Sequence, residues 1–102
     1  LMTEEISRKA KQQFPFGEDM EQLVLARFHD CQGSWSWYVI NQNPDDPDSI
    51  FGIVHGTQVF TGIFSLQELR NYENNIGLQV VRDPCFTPIT AKALWKRLNT
   101  FN

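Results

Sequence analysis

Between residues 23 and 64 the side chains alternate in character with a period of two, and that pattern constrains the fold more than any other feature of the chain. LVLARFH at 23–29 sets Leu23, Leu25, Arg27 and His29 against Val24, Ala26 and Phe28. SWSWYVIN at 34–41 sets Trp35, Trp37 and Val39 against Ser36, Tyr38 and Ile40. IFGIVH at 50–55 and VFTGIF at 59–64 are rich in β-branched and aromatic residues. Strands present successive side chains to opposite faces, so all four segments read as strands. The links DCQG and GTQ are short and contain Gly33 and Gly56, which suits hairpins. NPDDPDS at 43–49, with two prolines and three aspartates, reads as a loop. A four-strand antiparallel meander follows.

Helical signals flank the meander. Thr3 is placed to cap a helix over 4–13, with Glu4 and Glu5 at its positive end and Ile6, Ala10 and Phe14 in a narrow apolar stripe. Pro15 and Gly17 stop it. Ser65 and Glu68 stand at capping-box spacing before Leu66, Leu69 and Tyr72, and Asn75 and Gly77 can close that second helix. LQVVR at 78–82 reads as a fifth strand, DPCFTP as a connector, and Thr90 as the cap of a last helix with Leu94, Trp95 and Leu98. The expected class is α+β in one domain over 1–102: a mostly antiparallel sheet, four-strand meander plus fifth strand, with helices mainly on one face.

A chain of 102 residues, 41% apolar with eight phenylalanines, is long enough for one well-filled core. Nine basic against twelve acidic residues give a net charge of −3, so no general attraction to a phosphate backbone or an anionic membrane is expected. The start LMTEEISRKAKQQF lacks a signal-type apolar core, and no run is long enough to span a bilayer; a cytoplasmic address is the expectation, with Met2 the natural start and Leu1 a remnant of cloning. Cys31 and Cys85 have no CxxC spacing and are expected to be free, mostly buried thiols.

SWSWYVI, FGIVHG, GIFSLQEL and IGLQVVRDPCFTP, in this order and spacing, resemble an uncharacterised bacterial family known as domain of unknown function 2958. The resemblance covers about 22–94. It implies no activity. It does imply a short protein of plasmids and other mobile elements, encoded near genes for DNA transfer or for evading host defence. The chain departs from the family pattern at Thr61, where an acidic residue is common, so no role of that residue carries over.

A metal site would draw on His29, His55, Cys31, Cys85 and Asp30, but no pairing has ligand spacing, so no metal and no cofactor is expected. Neither cysteine is accompanied by a base or an oxyanion motif, so no catalytic residue is assigned. Asp45, Asp46 and Asp48 lack the glycine and glutamate of a calcium loop and read as solvated. Trp35, Trp37 and Tyr38 with Arg27 and Arg82 could stack single-stranded bases. Against this, residues 28–55 hold four aspartates and no lysine or arginine. If helices cover one sheet face, Trp37 belongs to the core and Tyr38 and Ile40 lie on an open apolar face, a partner site together with Arg82 and Asp83. The favoured expectation is a non-catalytic interaction protein of a bacterial mobile element with a protein partner, of the counter-defence kind. A single-stranded nucleic-acid-binding accessory factor is the alternative, and an unrecognised enzyme ranks third.

Overall fold

A computed structural model describes residues 1–100. α1, Glu4–Gln13, begins at Thr3, whose hydroxyl accepts the Ile6 N–H at 3.1 Å. A 3₁₀ turn over Phe14–Phe16 follows, with Pro15 where a missing N–H costs nothing. The strands are β1 Leu23–Val24, β2 Ala26–Asp30, β3 Ser36–Asn43, β4 Asp46–His55, β5 Val59–Ser65, β6 Val80–Arg82 and β7 Ile89–Thr90. α2, Leu66–Ile76, starts at Ser65, which accepts the Glu68 N–H at 2.9 Å, and closes on left-handed Gly77. α3, Ala91–Leu98, starts at Thr90, which accepts the Ala93 N–H.

The main sheet is antiparallel in the order β5-β4-β3-β2-β6, and β1 pairs with β7 in a separate two-strand ladder. The expected meander is therefore present as β2 to β5. The fifth strand, shortened to Val80–Arg82, pairs antiparallel with β2 on the side away from β4.

Period-two burial divides the core in two. On one face Ala26, Phe28, Trp37, Val39, Ile50, Val54, Phe64 and Val80 pack with Ala10 of α1 and Leu69 of α2. On the other, Tyr38, Ile40, Phe51 and Ile53 pack with Val24 and with Ala91 and Leu94 of α3. Two of the three helices thus share a face, as the pattern predicts, but the second face is not open. Residues 86–98 return across it, bringing Phe86, Ile89, Trp95 and Leu98 over the apolar side chains there.

Two local expectations are corrected. The strand read over 23–29 breaks at Leu25: Val24 joins the α3-side cluster while Leu25 and Ala26 both join the other, so the alternation slips where the chain leaves β7 for β3. The loop read over 43–49 shrinks to a two-residue turn, because β3 runs to Asn43 and β4 begins at Asp46. Pro47 is tolerated in β4 because pairing with β5 begins only at Ser49, so proline's lack of an N–H falls on an overhang. No helix among the described residues is long and apolar enough to cross a membrane.

Candidate functional site

The four residues picked from the sequence do not form one surface. Tyr38 is 6% exposed and Ile40 fully buried, both beneath α3 and its approach, with the Phe86 ring 6.0 Å from that of Tyr38. Their expected exposure is overturned by the covered second face. Arg82 is exposed on β6 opposite Phe28. Asp83 is partly buried and already engaged: it accepts the Cys85 N–H at 2.9 Å and Arg27 Nη1 at 3.2 Å. The Cys85 N–H lowers its pKa most, burial opposes, and Arg27 adds to the lowering. Arg27 also donates to Ser36 Oγ through Nε and Nη2, at 3.2 and 3.0 Å, so the guanidinium is held on both sides.

The tryptophans divide between core and surface. Trp37 is 7% exposed and packs edge-on to Tyr72 of α2, ring centroids 5.3 Å apart. Trp35, just before β3, is partly exposed and stacks on Trp37 at 6.3 Å with 22° between the planes. Trp35 lies flat over Gly56, where a Cβ would come within 2.5 Å of its six-membered ring, so only glycine leaves room for the indole. Trp37 and Tyr38 point to opposite faces, and the proposed stacking trio therefore does not make one platform.

Beneath these rings sits Asp30, which has no exposed surface. Its carboxylate accepts four bonds: Gln32 N–H and Ser34 N–H at 3.0 Å on Oδ1, Trp35 N–H at 3.0 Å and the Tyr72 hydroxyl at 2.8 Å on Oδ2. Burial alone would raise the Asp30 pKa, yet the bonds from Ser34, Tyr72, Trp35 and Gln32 outweigh it and hold the carboxyl below its usual range. Burial and the adjacent carboxylate raise the pKa of Tyr72. The β2–β3 turn, Trp35 and α2 are thereby tied to one buried charge. Sequence reading missed this role, although Asp30 three residues before Gly33 is an Asx-turn signal. Trp35, Trp37, Glu68, Leu69 and Tyr72 line a cleft of about 280 Å³ above it.

A further surface lies at the sheet edge. β5 pairs with β4 alone, and no other described strand borders it. Its sequence, VFTGIFS, has neither charge nor proline. Phe60 is 49% and Ile63 67% exposed. Ile63 and Gly62 join Phe14, Gly17, Glu18, Asn41 and Phe51 around an apolar pocket of about 240 Å³. Asn41 is fixed there by donating to Gly17 O and Gln22 Oε1, at 2.9 and 3.0 Å.

Cys31 and Cys85 are free, as read from their spacing, but exposed rather than buried, since each sits in a turn. Among the described residues no group of three or more His, Cys, Asp or Glu side chains is arranged to hold a metal ion.

The fold and its surfaces define a small α+β protein whose main sheet carries a packed cluster on each face and ends in two edge strands, β5 and β6. The chain belongs to the family of proteins of unknown function DUF2958, whose model matches residues 1–100. No curated protein and no solved structure matches it.

Proposed function

We propose that this is a non-catalytic interaction protein that takes a protein partner along the free edge of β5. The observation that carries this reading is the unguarded edge itself. Proteins normally blunt such edges with charge, proline or a covering element, because unpaired backbone N–H and C=O groups recruit other strands. β5 has none of these guards over Val59–Ser65 and adds two exposed apolar side chains and a flanking pocket. Strand addition with one side chain seated in a pocket is a recurrent mode of peptide recognition. An origin in a bacterial mobile element, a cytoplasmic address and a counter-defence role against restriction or CRISPR machinery rest on the resemblance, and the edge supplies the means by which a small inhibitor could engage a larger enzyme. The nucleic-acid alternative has less support, because the partly exposed indole of Trp35 stands beside Glu68 and above Asp30, an acidic setting for a phosphate backbone.

The test is affinity capture with wild type and with the Phe60→Asp, Ile63→Asp double variant, followed by reconstitution with the purified, identified partner. The expected result is a binary complex with wild type that weakens at least about tenfold, roughly 1.4 kcal/mol, in the variant with its melting temperature preserved. Equal affinity of the two proteins for that partner would remove β5 from the interface.

A further inference from the structure

The cleft between α2 and the β2–β3 turn has a chemistry that the β5 edge does not use. Three of its five lining residues are aromatic: Trp35 and Trp37, nearly parallel, and Tyr72, at 73° to Trp37. Glu68 is the charged group of the lining, exposed on the first turn of α2, and no described lysine, arginine or histidine forms an ion pair with it. Behind the rings, the Asp30 carboxylate is buried against the Tyr72 hydroxyl at 2.8 Å. Two carboxylates therefore bear on a space walled by π-systems. The carboxylates favour a positive charge there, and an aromatic ring adds to the attraction wherever it turns a face to the cation.

The walls also select among cations. Asp30 already accepts four hydrogen bonds, the Tyr72 proton is committed to it, and the indole N–H groups are donors. Beyond Glu68 and the phenol lone pairs, the lining side chains offer few acceptors. A primary ammonium or a guanidinium is strongly hydrated through its N–H groups, and these walls give it few acceptors in exchange for the water it sheds on entering. A fully methylated ammonium has none to satisfy and presents methyl groups to the rings. At about 280 Å³ the cleft lies just below the usual range for whole drug-sized ligands and suits a cationic head group.

We infer that the Trp35–Trp37–Tyr72–Glu68 cleft is a binding site for a quaternary ammonium group. The site is assembled in advance. Gly56 lets the Trp35 indole lie flat, the Trp35 backbone N–H is fixed on Asp30, and Tyr72 is held from the same carboxylate, so little ordering remains to be done on binding. The group can arrive on a free small molecule or on a trimethylated lysine of a protein, and the chemistry of capture is the same.

Tryptophan fluorescence titrations with choline, a short trimethyllysine peptide, its unmethylated counterpart and 3,3-dimethylbutan-1-ol, the neutral isostere of choline, test the inference. Saturable binding of choline or the trimethyllysine peptide is expected, with the isostere and the unmethylated peptide at least about tenfold weaker. The tighter of the two methylated ligands identifies the source. Glu68→Gln, a surface change that leaves the caps of α2 in place, should weaken binding several-fold, and Gly56→Ala, which displaces the Trp35 ring, should weaken it further. Binding of the isostere as tightly as choline, indifference to both substitutions, or no saturable response to either methylated ligand would overturn it. None of these outcomes depends on whether β5 takes a partner.

Discussion

Asp30 carries an organising burden that no other titratable side chain among the described residues shares: a fully buried carboxylate with four donors, three of them backbone N–H groups of the turn that follows it. An asparagine there keeps one oxygen and turns an NH₂ toward donors, leaving buried N–H groups unpaired. Asp30→Asn should cost about 2–3 kcal/mol at neutral pH, in the range of hydrogen bonds to charged groups. The pH dependence follows from the lowered pKa. A depressed carboxylate stabilises the fold fully above its unfolded value, about 3.9, and that contribution is lost as pH falls through the folded value. Urea titrations should therefore show the gap between wild type and Asp30→Asn widest at neutral pH and narrowing below about pH 4. A gap constant down to the acid limb would mean that the charge of Asp30 is immaterial to the fold.

At the scale of elements, hairpin geometry makes one glycine indispensable. Gly52 of β4 pairs with Val39 of β3 and Gly62 of β5, and a Cβ at Gly52 would fall inside the Tyr38 carbonyl oxygen. The β3–β4 ladder would have to part to admit a methyl group just before the bulge between Val39 and Asn41. Gly52→Ala should lower stability by about 2–4 kcal/mol, as clashes against rigid backbone do, whereas Gly62→Ala, with only the Phe60 ring edge at 3.9 Å, should change it by less than about 1 kcal/mol. Thermal melts of the two variants check the contrast. The hairpins themselves were legible because period-two alternation and short glycine links survive folding unchanged, and α2 because its cap and capping-box residue lie within one turn. The break at Leu25 was not, since it arises from β1 pairing with β7, two segments 65 residues apart in the register Leu23↔Thr90 to Val24↔Ile89. Nor was the start of β4 at Asp46, because whether a proline faces a neighbouring strand depends on where that neighbour ends. Of the residues picked from the sequence as a site, Arg82 and Asp83 do reach the β2–β6 edge, but Tyr38 and Ile40 lie in the core.

The whole molecule differs from its sequence reading mainly in what α3 covers. An apolar stripe of Ala91, Leu94, Trp95 and Leu98 declares that a helix packs against something, and nothing in its period says which face of the sheet. Because the chain leaves β6 at the sheet's far edge and returns through Phe86 and Ile89, the helix lands on the face opposite α1 and α2. Trp37 and Tyr38, adjacent in β3, are consequently anchors of two cores back to back, at 7% and 6% exposure. Truncating either large buried ring to alanine should cost about 3–5 kcal/mol, a sizeable share of the 5–15 kcal/mol typical of such a domain. The single sheet belongs to both cores, so loss on one side should be felt on the other. Denaturation of Tyr38→Ala followed by indole fluorescence, which includes Trp35 and Trp37 on the α2 side, and by far-ultraviolet circular dichroism should give coincident transitions shifted to lower denaturant. A Tyr38→Ala protein as stable as wild type would return that ring to an exposed face, and separated transitions would mean that the α3 side opens on its own while the α1–α2 side persists.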